Sequence, residues 1–495
     1  MVALGWWGVR YKLGLPKRQN EARELVFGAF GGHPANEVDD LLSSFYDEVM
    51  ADRIRPVAVR EIARRHEEGC KTLLVSATFS GIARRAALAV GADGYIATEM
   101  ERDEHGNYTG RVLGTVVEGA EKVWASVRWC DAHYGPGAWE FAYAYGDHRS
   151  DLGILSVARE GSFAVCPNHA GLTPDPTTGA AALPIYASAA FQFDDAADGA
   201  AKFALAKPGN VYGRLTNTTT DAVAARVATV EGGTGAVAVA SGHAAEVLAI
   251  TNIVGAGDHI VASDSLYGGT WNIFLHSLSA LGVETTFVEN NDIDAFVANT
   301  KPNTKLWYVE TIGNPLVDVA DVPALVGAAN SLPEPVPVFV DNTFATPYLY
   351  RPAEDGAAVV IESLTKWIGG HGVTLGGAVI DTGKFDWKKT PGKFPTITAP
   401  DPSYHGVVFA DAAPSAPFST RVLANKLRDF GPTLSPYAAQ IIGIGLETLS
   451  LRVQRHSDNA LAVAKWLSEN PKVAWVRYSG LEGDPSHALP QLRRR

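Results

Sequence analysis

The chain has 495 residues, 46% of them apolar, and a formal net charge of −12. That length allows two or three domains with cores of their own. The acidic balance, with no long basic run, argues against nucleic acid as the main partner, and no run of 18 apolar residues offers a membrane-spanning helix. Cys70, Cys130 and Cys166 stand far apart with no CxxC pair. They suit a reducing cytoplasm and give no zinc site. The opening MVALGWWGVRYKLGL lacks the basic start and small-residue cleavage site of a secretory leader.

In chain order, Asn20 to His66 reads as charged helix, with Leu41, Leu42, Phe45, Tyr46 and Val49 as an apolar stripe. Lys71–Phe79, KTLLVSATF, reads as a strand ending in Ser76 and Thr78. A helix (RRAALAVGAD), the segment EGAEKVW, the strand-like FAYAYGDHRSD and a last strand FAVCPN follow. The alternation predicts a parallel α/β sheet. Ser76 at a strand end could hold a phosphate, Lys122 could neutralise developing charge, and Asp147 with Asp151 could hold Mg²⁺ through oxygens. Each also suits a plainer role: a helix cap, a solvated lysine, a capped turn.

In this order, VSAT, EGAEK and YGDHRSD resemble the second, lysine and acidic motifs of the haloacid dehalogenase superfamily, in its phosphoserine-phosphatase-like branch, over residues 20–168. The resemblance implies a Rossmann-like piece with a helical cap. That family's nucleophile is the first Asp of a DxDxT motif, and no DxD occurs before Val75. Asp39 and Asp40 lie inside a helical pattern. A domain without the carboxylate nucleophile is expected to form no phospho-enzyme and to be no working phosphatase. Residues 1–168 are expected to form this domain, lacking its first strand.

Residues 167–182, PNHAGLTPDPTTGAAA, are rich in Pro, Gly, Thr and Ala and read as a linker or extended arm from residue 169. Beyond it, GAVAVASGHAAEVLAITNIV, HIVASDSLYGGT, VETTFVE, KLWYVETIGNP, VPVFVDNTFATP and AAVVIESLTKW are short apolar runs ending in polar residues. This is an α/β pattern with a mostly parallel sheet and a site at the strand C-terminal ends. Gly242 and His243 open a helix whose N–H groups can bind phosphate. Asp341 can pair with a protonated ring nitrogen, and Thr343 follows it. Tyr267 can stack on a flat ring. Glu310 and Asn314 are hydrogen-bonding groups at another strand end. Ser363 and Thr365 can add phosphate contacts, and Lys366 can form a Schiff base once partly desolvated. Taken singly, Asp341 also suits a turn cap, Tyr267 a core position and Ser241–Gly242 an ordinary helix start. Together, phosphate cradle, ring partner and lysine point to pyridoxal 5'-phosphate.

The stretches GNVYGRLTN, VEGGTGAVAVASGHAA, DSLYGGTWN, VETIGNPLVDVAD, VFVDNTFATPYLYRP, ESLTKWIGGHG and GLETLSLRVQRHSDNA resemble the Cys/Met-metabolism family of pyridoxal-phosphate enzymes, nearly unbroken from His169 to His487. The resemblance implies an aspartate-aminotransferase-like (fold type I) domain over residues 183–495. It gives Lys366 the covalent and proton-shuttling role, Asp341 the ring nitrogen, Tyr267 the ring face and a catalytic part in proton transfer, and Gly242, His243, Ser363 and Thr365 the phosphate. Tyr212 and Arg214 resemble the YxR pair that reaches a neighbour's phosphate, so a homodimer or homotetramer is implied. The implied chemistry is γ-replacement on O-acetylhomoserine by sulfide or methanethiol. Three departures stand out: Asn217–Thr218–Thr219 in place of Asn-Pro-Thr, Ala358 in place of an Asp, and Glu362 in place of a common His. The C-terminal small domain is expected to be cut short, which makes impaired catalysis, or a fusion of two incomplete enzymes without activity, an expectation to set beside the transferase.

Overall fold

The computed structural model describes residues 28–489, apart from 52–53, 55, 147–150, 159, 164–174, 176, 181, 205 and 208. The chain divides into two compact units, Met1–Ala164 and Val165–Arg495. The expected boundary at residue 168 lies outside the described residues. Of the expected linker, Asp175 and residues 177–180 form a turn, with the Asp175 carboxylate accepting from the N–H of Thr177 and of Thr178 (3.1 and 2.8 Å).

In the first unit, helix α1 (Ala35–Phe45) buries Ala35, Val38 and Leu42, and the π turn after it buries Tyr46. Leu41, Phe45 and Val49, which the sequence puts on the same stripe, are exposed. The buried set keeps strict three- and four-residue spacing, and the other three fall on the flanks of that face. Strand β1 (Leu73–Phe79) pairs in parallel with β2 (Gly94–Thr98), with helix α2 (Ser80–Val90) between them. The hairpin β3 (Met100–Arg102) and β4 (Tyr108–Val112) follows, then α3 (Ala120–Tyr134), β5 (Tyr143–Gly146), α4 (Leu152–Val157) and β6 (Glu160–Phe163). β5 and β6 also pair in parallel. The expected parallel alternation is thus present as two separate strand pairs, not as one sheet, among the described residues.

In the second unit, seven strands form one sheet: β7 (Gly235–Val239), β8 (His259–Ser263), β9 (Glu284–Val288), β10 (Thr304–Glu310), β11 (Val338–Asp341), β12 (Val359–Glu362) and β13 (Gly377–Asp381), in the order β7-β13-β12-β11-β10-β8-β9. Only β13 runs against the rest. Alternate residues of the strands feed two different cores. Val359, Ile361, Phe339 and Tyr308 join one, and Val360, Val340, Val338 and Trp307 lie on the other side. A sheet buried on both faces needs the continuous β-branched runs seen in the sequence. Helix α5 (Thr218–Glu231) begins at Asn217, whose side chain accepts from the N–H of Thr219 and Thr220. Asn217 therefore works as a cap with Thr in place of the family's Pro. Helix α6 (Gly242–Ile253) follows β7. Late in the unit, α7 (Pro436–Glu447) and α8 (Leu449–Ser468) pack near the β12–β13 connection.

Candidate active site

The parallel strands bring the turns that follow them to one edge of the sheet. Register places Glu310 opposite Asp341, and Asp341 opposite Ile361, so the ends of β10, β11 and β12 lie side by side. β13 returns antiparallel, with Gly377 opposite Val239, which brings the end of β7 and the start of α6 to the same edge.

The start of α6 is set by Ser241, whose Oγ accepts from the N–H of Ala244 (3.1 Å). Gly242 and His243 lie in the first turn, where N–H groups lack a carbonyl one turn back. The approach here is close. A Cβ on Gly242 would sit 2.7 Å from Cβ of Ser363, and one on Gly377 would sit 2.0 Å from the Ser241 carbonyl oxygen. Only glycine lets the helix start and the Ser363 turn come together.

Asp341 ends β11. Its Oδ1 accepts from the N–H of Thr343 (2.8 Å), and the Thr343 hydroxyl accepts from the N–H of Ser363 (2.7 Å). One hydrogen-bonded path therefore links the acid to the turn that carries Lys366. Burial pushes the Asp341 carboxyl up to about 6, against the hydrogen bonds from Thr343. A carboxylate in such surroundings gains from a cationic partner.

Glu310, at the end of β10, accepts from the N–H of Tyr267 (2.6 Å) and from the N–H of Asn314. Burial, then the charge of Asp341, pushes it up to about 9. Its carboxyl is spent on positioning two loops. The Tyr267 ring is 44% exposed and lies 5.7 Å from the His243 ring, centroid to centroid. Asn314 is exposed and precedes a cis Asn314–Pro315 bond.

Thr365 and Lys366 follow Ser363. The Thr365 hydroxyl donates to the Gly376 carbonyl (3.1 Å) and accepts from the Gly376 N–H (3.0 Å). That hydroxyl closes the glycine-rich loop, which leaves Ser363 as the side-chain hydroxyl of this turn beside the helix start. Lys366 is exposed, so the chain's own residues do not supply the expected desolvation of its amine. Tyr212 and Arg214 are exposed too, with the guanidinium 5.6 Å over the tyrosine ring.

Two groups at this edge, one buried and one half-buried, are not singled out by the sequence. Glu246, on α6 one turn past His243, is 2% exposed. Its Oε1 accepts from the hydroxyls of Thr270 (2.7 Å) and Tyr308 (3.1 Å). Burial, then Asp341, pushes it up to about 8. An acid inside the alanine-rich run GHAAEVLAI is the signal that could have marked it. Arg452 of α8 donates to the carbonyls of Trp367 and Gly445 (2.7 Å each) and clamps the lysine turn from behind. Nothing in its local sequence announces that role.

The edge fits a flat, phosphorylated ring with a basic nitrogen. It has a glycine-walled helix start for a phosphate, an acid in need of a cation, an exposed aromatic face and a lysine on the adjoining turn.

In the first unit the structure brings Lys122 and Asp151 together as a buried ion pair. β1 ends at Phe79, as the sequence reads it, with Ser76 and Thr78 in its last four residues. Regular pairing with β2 stops at Val75, and Ser76 Oγ accepts from the N–H of Thr78 (3.1 Å), a local turn within the strand's irregular end. Asp147 lies outside the described residues. Among the described residues no group of three or more His, Cys, Asp or Glu side chains is placed to hold a metal ion.

Residues 166–494 match the Cys/Met metabolism PLP-dependent enzymes, and residues 1–156 match the haloacid dehalogenase-like hydrolases. The chain is 44% identical over 322 residues to a homocysteine synthase of Schizosaccharomyces pombe, which covers 65% of this chain and 75% of that protein. It is 47% identical over 340 residues to an O-acetyl-L-homoserine sulfhydrylase of Corynebacterium glutamicum, covering 68% and 77%. Among solved structures, a putative O-acetylhomoserine (thiol)-lyase of Campylobacter jejuni superposes with a TM-score of 0.62 at 35% identity, over 65% of this chain and 79% of that one. That structure carries an N'-pyridoxyl-lysine-5'-monophosphate residue.

Proposed function

The chain belongs to the Cys/Met metabolism PLP-dependent enzymes, preceded by a haloacid dehalogenase-like domain, and we propose that it catalyses γ-replacement on O-acetylhomoserine by sulfide or methanethiol. The observation that carries this reading is the path Asp341–Thr343–Ser363, which ends on the turn bearing Lys366 and faces the start of α6.

Pyridoxal phosphate, when bound, supplies the electron sink for carbanion chemistry at the substrate Cα and Cβ. Lys366 is the amine that would hold it covalently and, when free, would take the proton from Cα and give it back once the new bond at Cγ is made. Asp341 keeps a negative charge against the ring nitrogen. Tyr267, held by Glu310, offers its ring as the stacking face. The N–H groups of Gly242 and His243 and the Ser363 hydroxyl take the phosphate, while Thr365 and Arg452 keep the lysine turn in shape. Acetate leaves from Cγ, and the sulfur nucleophile bonds to the same carbon.

Tyr212 and Arg214, exposed and stacked, support a homodimer in which the guanidinium fork reaches the partner's phosphate site. Free Cys70 and Cys130 and the amino-acid substrate are consistent with a cytoplasmic enzyme.

Borohydride reduction after addition of pyridoxal phosphate, followed by peptide mapping, tests the site. A reduced adduct on Lys366, together with sulfide-dependent acetate release from O-acetylhomoserine, supports the reading. An adduct scattered over surface lysines sinks it.

A further inference from the structure

Behind the strand ends that carry Asp341 and Lys366 lies a second pair of acids that the reaction above does not use. Glu231 closes α5 and Glu362 closes β12, and both are fully buried. Between them stands Asn342, the residue after Asp341. Its Nδ2 donates to Glu231 Oε1 and to the Tyr350 carbonyl (2.9 Å each), and its Oδ1 accepts from the Thr311 hydroxyl (2.7 Å). Both amide hydrogens are therefore committed. Neither oxygen of Glu362, nor Oε2 of Glu231, receives an N–H or hydroxyl donor among the described residues. These oxygens face each other, with the Asn342 amide as their shared neighbour.

Two carboxylates in contact and out of water cannot both stay ionised, and one proton between them satisfies oxygens that are otherwise orphaned. The other charged groups facing the pair do not change this. Arg351 and Glu354 face Glu231, and Asp341 faces Glu362. Arg351 is the cation of that set, and it is ion-paired with Glu354.

We propose that Glu231 and Glu362 share one proton and act as a positioning pair for the cofactor-binding strand ends. On one side the pair holds Asn342, whose N–H also donates to the Ile361 carbonyl (2.9 Å) and whose chain neighbour is Asp341. On the other side Glu362 leads directly into Ser363 and the lysine turn. Loss of the shared proton places a second buried negative charge behind Asp341 and pushes the two strand ends apart. The positioning half rests on the pyridoxal-phosphate reading; the shared proton does not.

Burial pushes Glu231 up to about 7, and burial together with the charge of Glu231 pushes Glu362 well up from the usual carboxyl range. The folded state then holds protons that the unfolded state has released. The associated stability is present below about pH 4.5 and is lost as pH rises through about 7 and above.

The test compares the full chain with Glu362→Gln, whose amide donates permanently to Glu231. Two quantities are followed from about pH 5 to about pH 9: the thermal midpoint of the cofactor-free chain, and pyridoxal-phosphate affinity by absorbance. In the parent chain both fall with rising pH. In Glu362→Gln both curves flatten, and affinity at the alkaline end exceeds that of the parent by about 3–10-fold, while the acid ends coincide. Parallel curves for the two proteins overturn the shared proton. A flattened stability curve with an unaltered affinity profile overturns the positioning role. Should Glu362→Gln fail to fold, Glu231→Gln is read by the same criteria, since its amide donates to Glu362. A parent chain that binds no pyridoxal phosphate at all overturns the cofactor reading and the positioning role with it, and the stability curves still decide the proton.

Discussion

The two lysines that the sequence singles out end in opposite electrostatic settings. Lys122 is buried and ion-paired with buried Asp151. Lys366 is exposed on its turn, while the acids nearest that sheet edge, Asp341, Glu246 and Glu310, all have carboxyls pushed up by burial. In the first unit opposite charges are already matched inside the fold. In the second they are held apart, the amine towards solvent and the carboxylates inside. A buried charge that has its partner is structure. Buried acids whose favoured state is partly protonated are a site arranged for a cation from elsewhere.

The strongest way to break this comparison is at Lys366 itself. Lys366→Ala is expected to abolish the borohydride-stable adduct and to lower sulfide-dependent acetate release by at least about 10³-fold. Because the side chain is exposed, the thermal midpoint should hardly move. A large loss of stability would mean that Lys366 is a structural ion-pair partner like Lys122.

Lys122→Met gives the converse. Removing one partner leaves Asp151 as a buried charge, and such losses run to about 3–5 kcal/mol. Hydrogen exchange over residues 120–157 is the readout, since it reports on the first unit alone. Unchanged protection there would show that the pair is as open as Lys366, and the contrast between the two lysines would collapse.

How much of this was legible follows from range. The run Val359–Ile361 reads as a buried strand because both faces of the sheet are covered, so every residue is apolar. The turn residues after the strands are legible for the same reason, since the strand fixes where the polar residues emerge. Glu246 is not, because its partners are Thr270 and Tyr308, on other elements. Glu231 and Glu362 are 131 positions apart in the chain and meet only through the order in which strands pair. Thr365 reads as a phosphate ligand from its place beside Lys366, and in the structure its hydroxyl bonds to Gly376, across a loop whose closure no local pattern records. In the first unit the stripe Leu41–Val49 over-reads the helix, because apolar residues there cover more than the face that packs.

A smaller effect sharpens the picture at the phosphate end. Gly242→Ala places a methyl 2.7 Å from Cβ of Ser363. Forcing such a contact apart costs about 1–3 kcal/mol. The strain falls between the helix start and the Ser363 turn, so pyridoxal-phosphate affinity should drop by about 10–100-fold, with the adduct still mapping to Lys366. Equal affinity would place the phosphate elsewhere.

The smallest effect is a matter of pH. Glu246 has one oxygen held by two hydroxyls and a carboxyl raised to about 8 by burial and by Asp341. Its folded value lies above its unfolded one, so its contribution to stability is present below about pH 4.5 and is lost as pH rises through about 8. Glu246→Gln keeps the acceptor for Thr270 and Tyr308 but carries no charge at any pH. At acid pH, where Glu246 is itself protonated, parent and variant should differ by no more than about 1 kcal/mol, the scale of one altered hydrogen bond. Above about pH 8 the variant should be the more stable of the two, because the parent alone then buries a second anion beside Asp341. Thermal midpoints across that range settle it. A constant offset would mean that Glu246 acts through packing, and the acids at this edge would then be independent neighbours instead of one charge-coupled group.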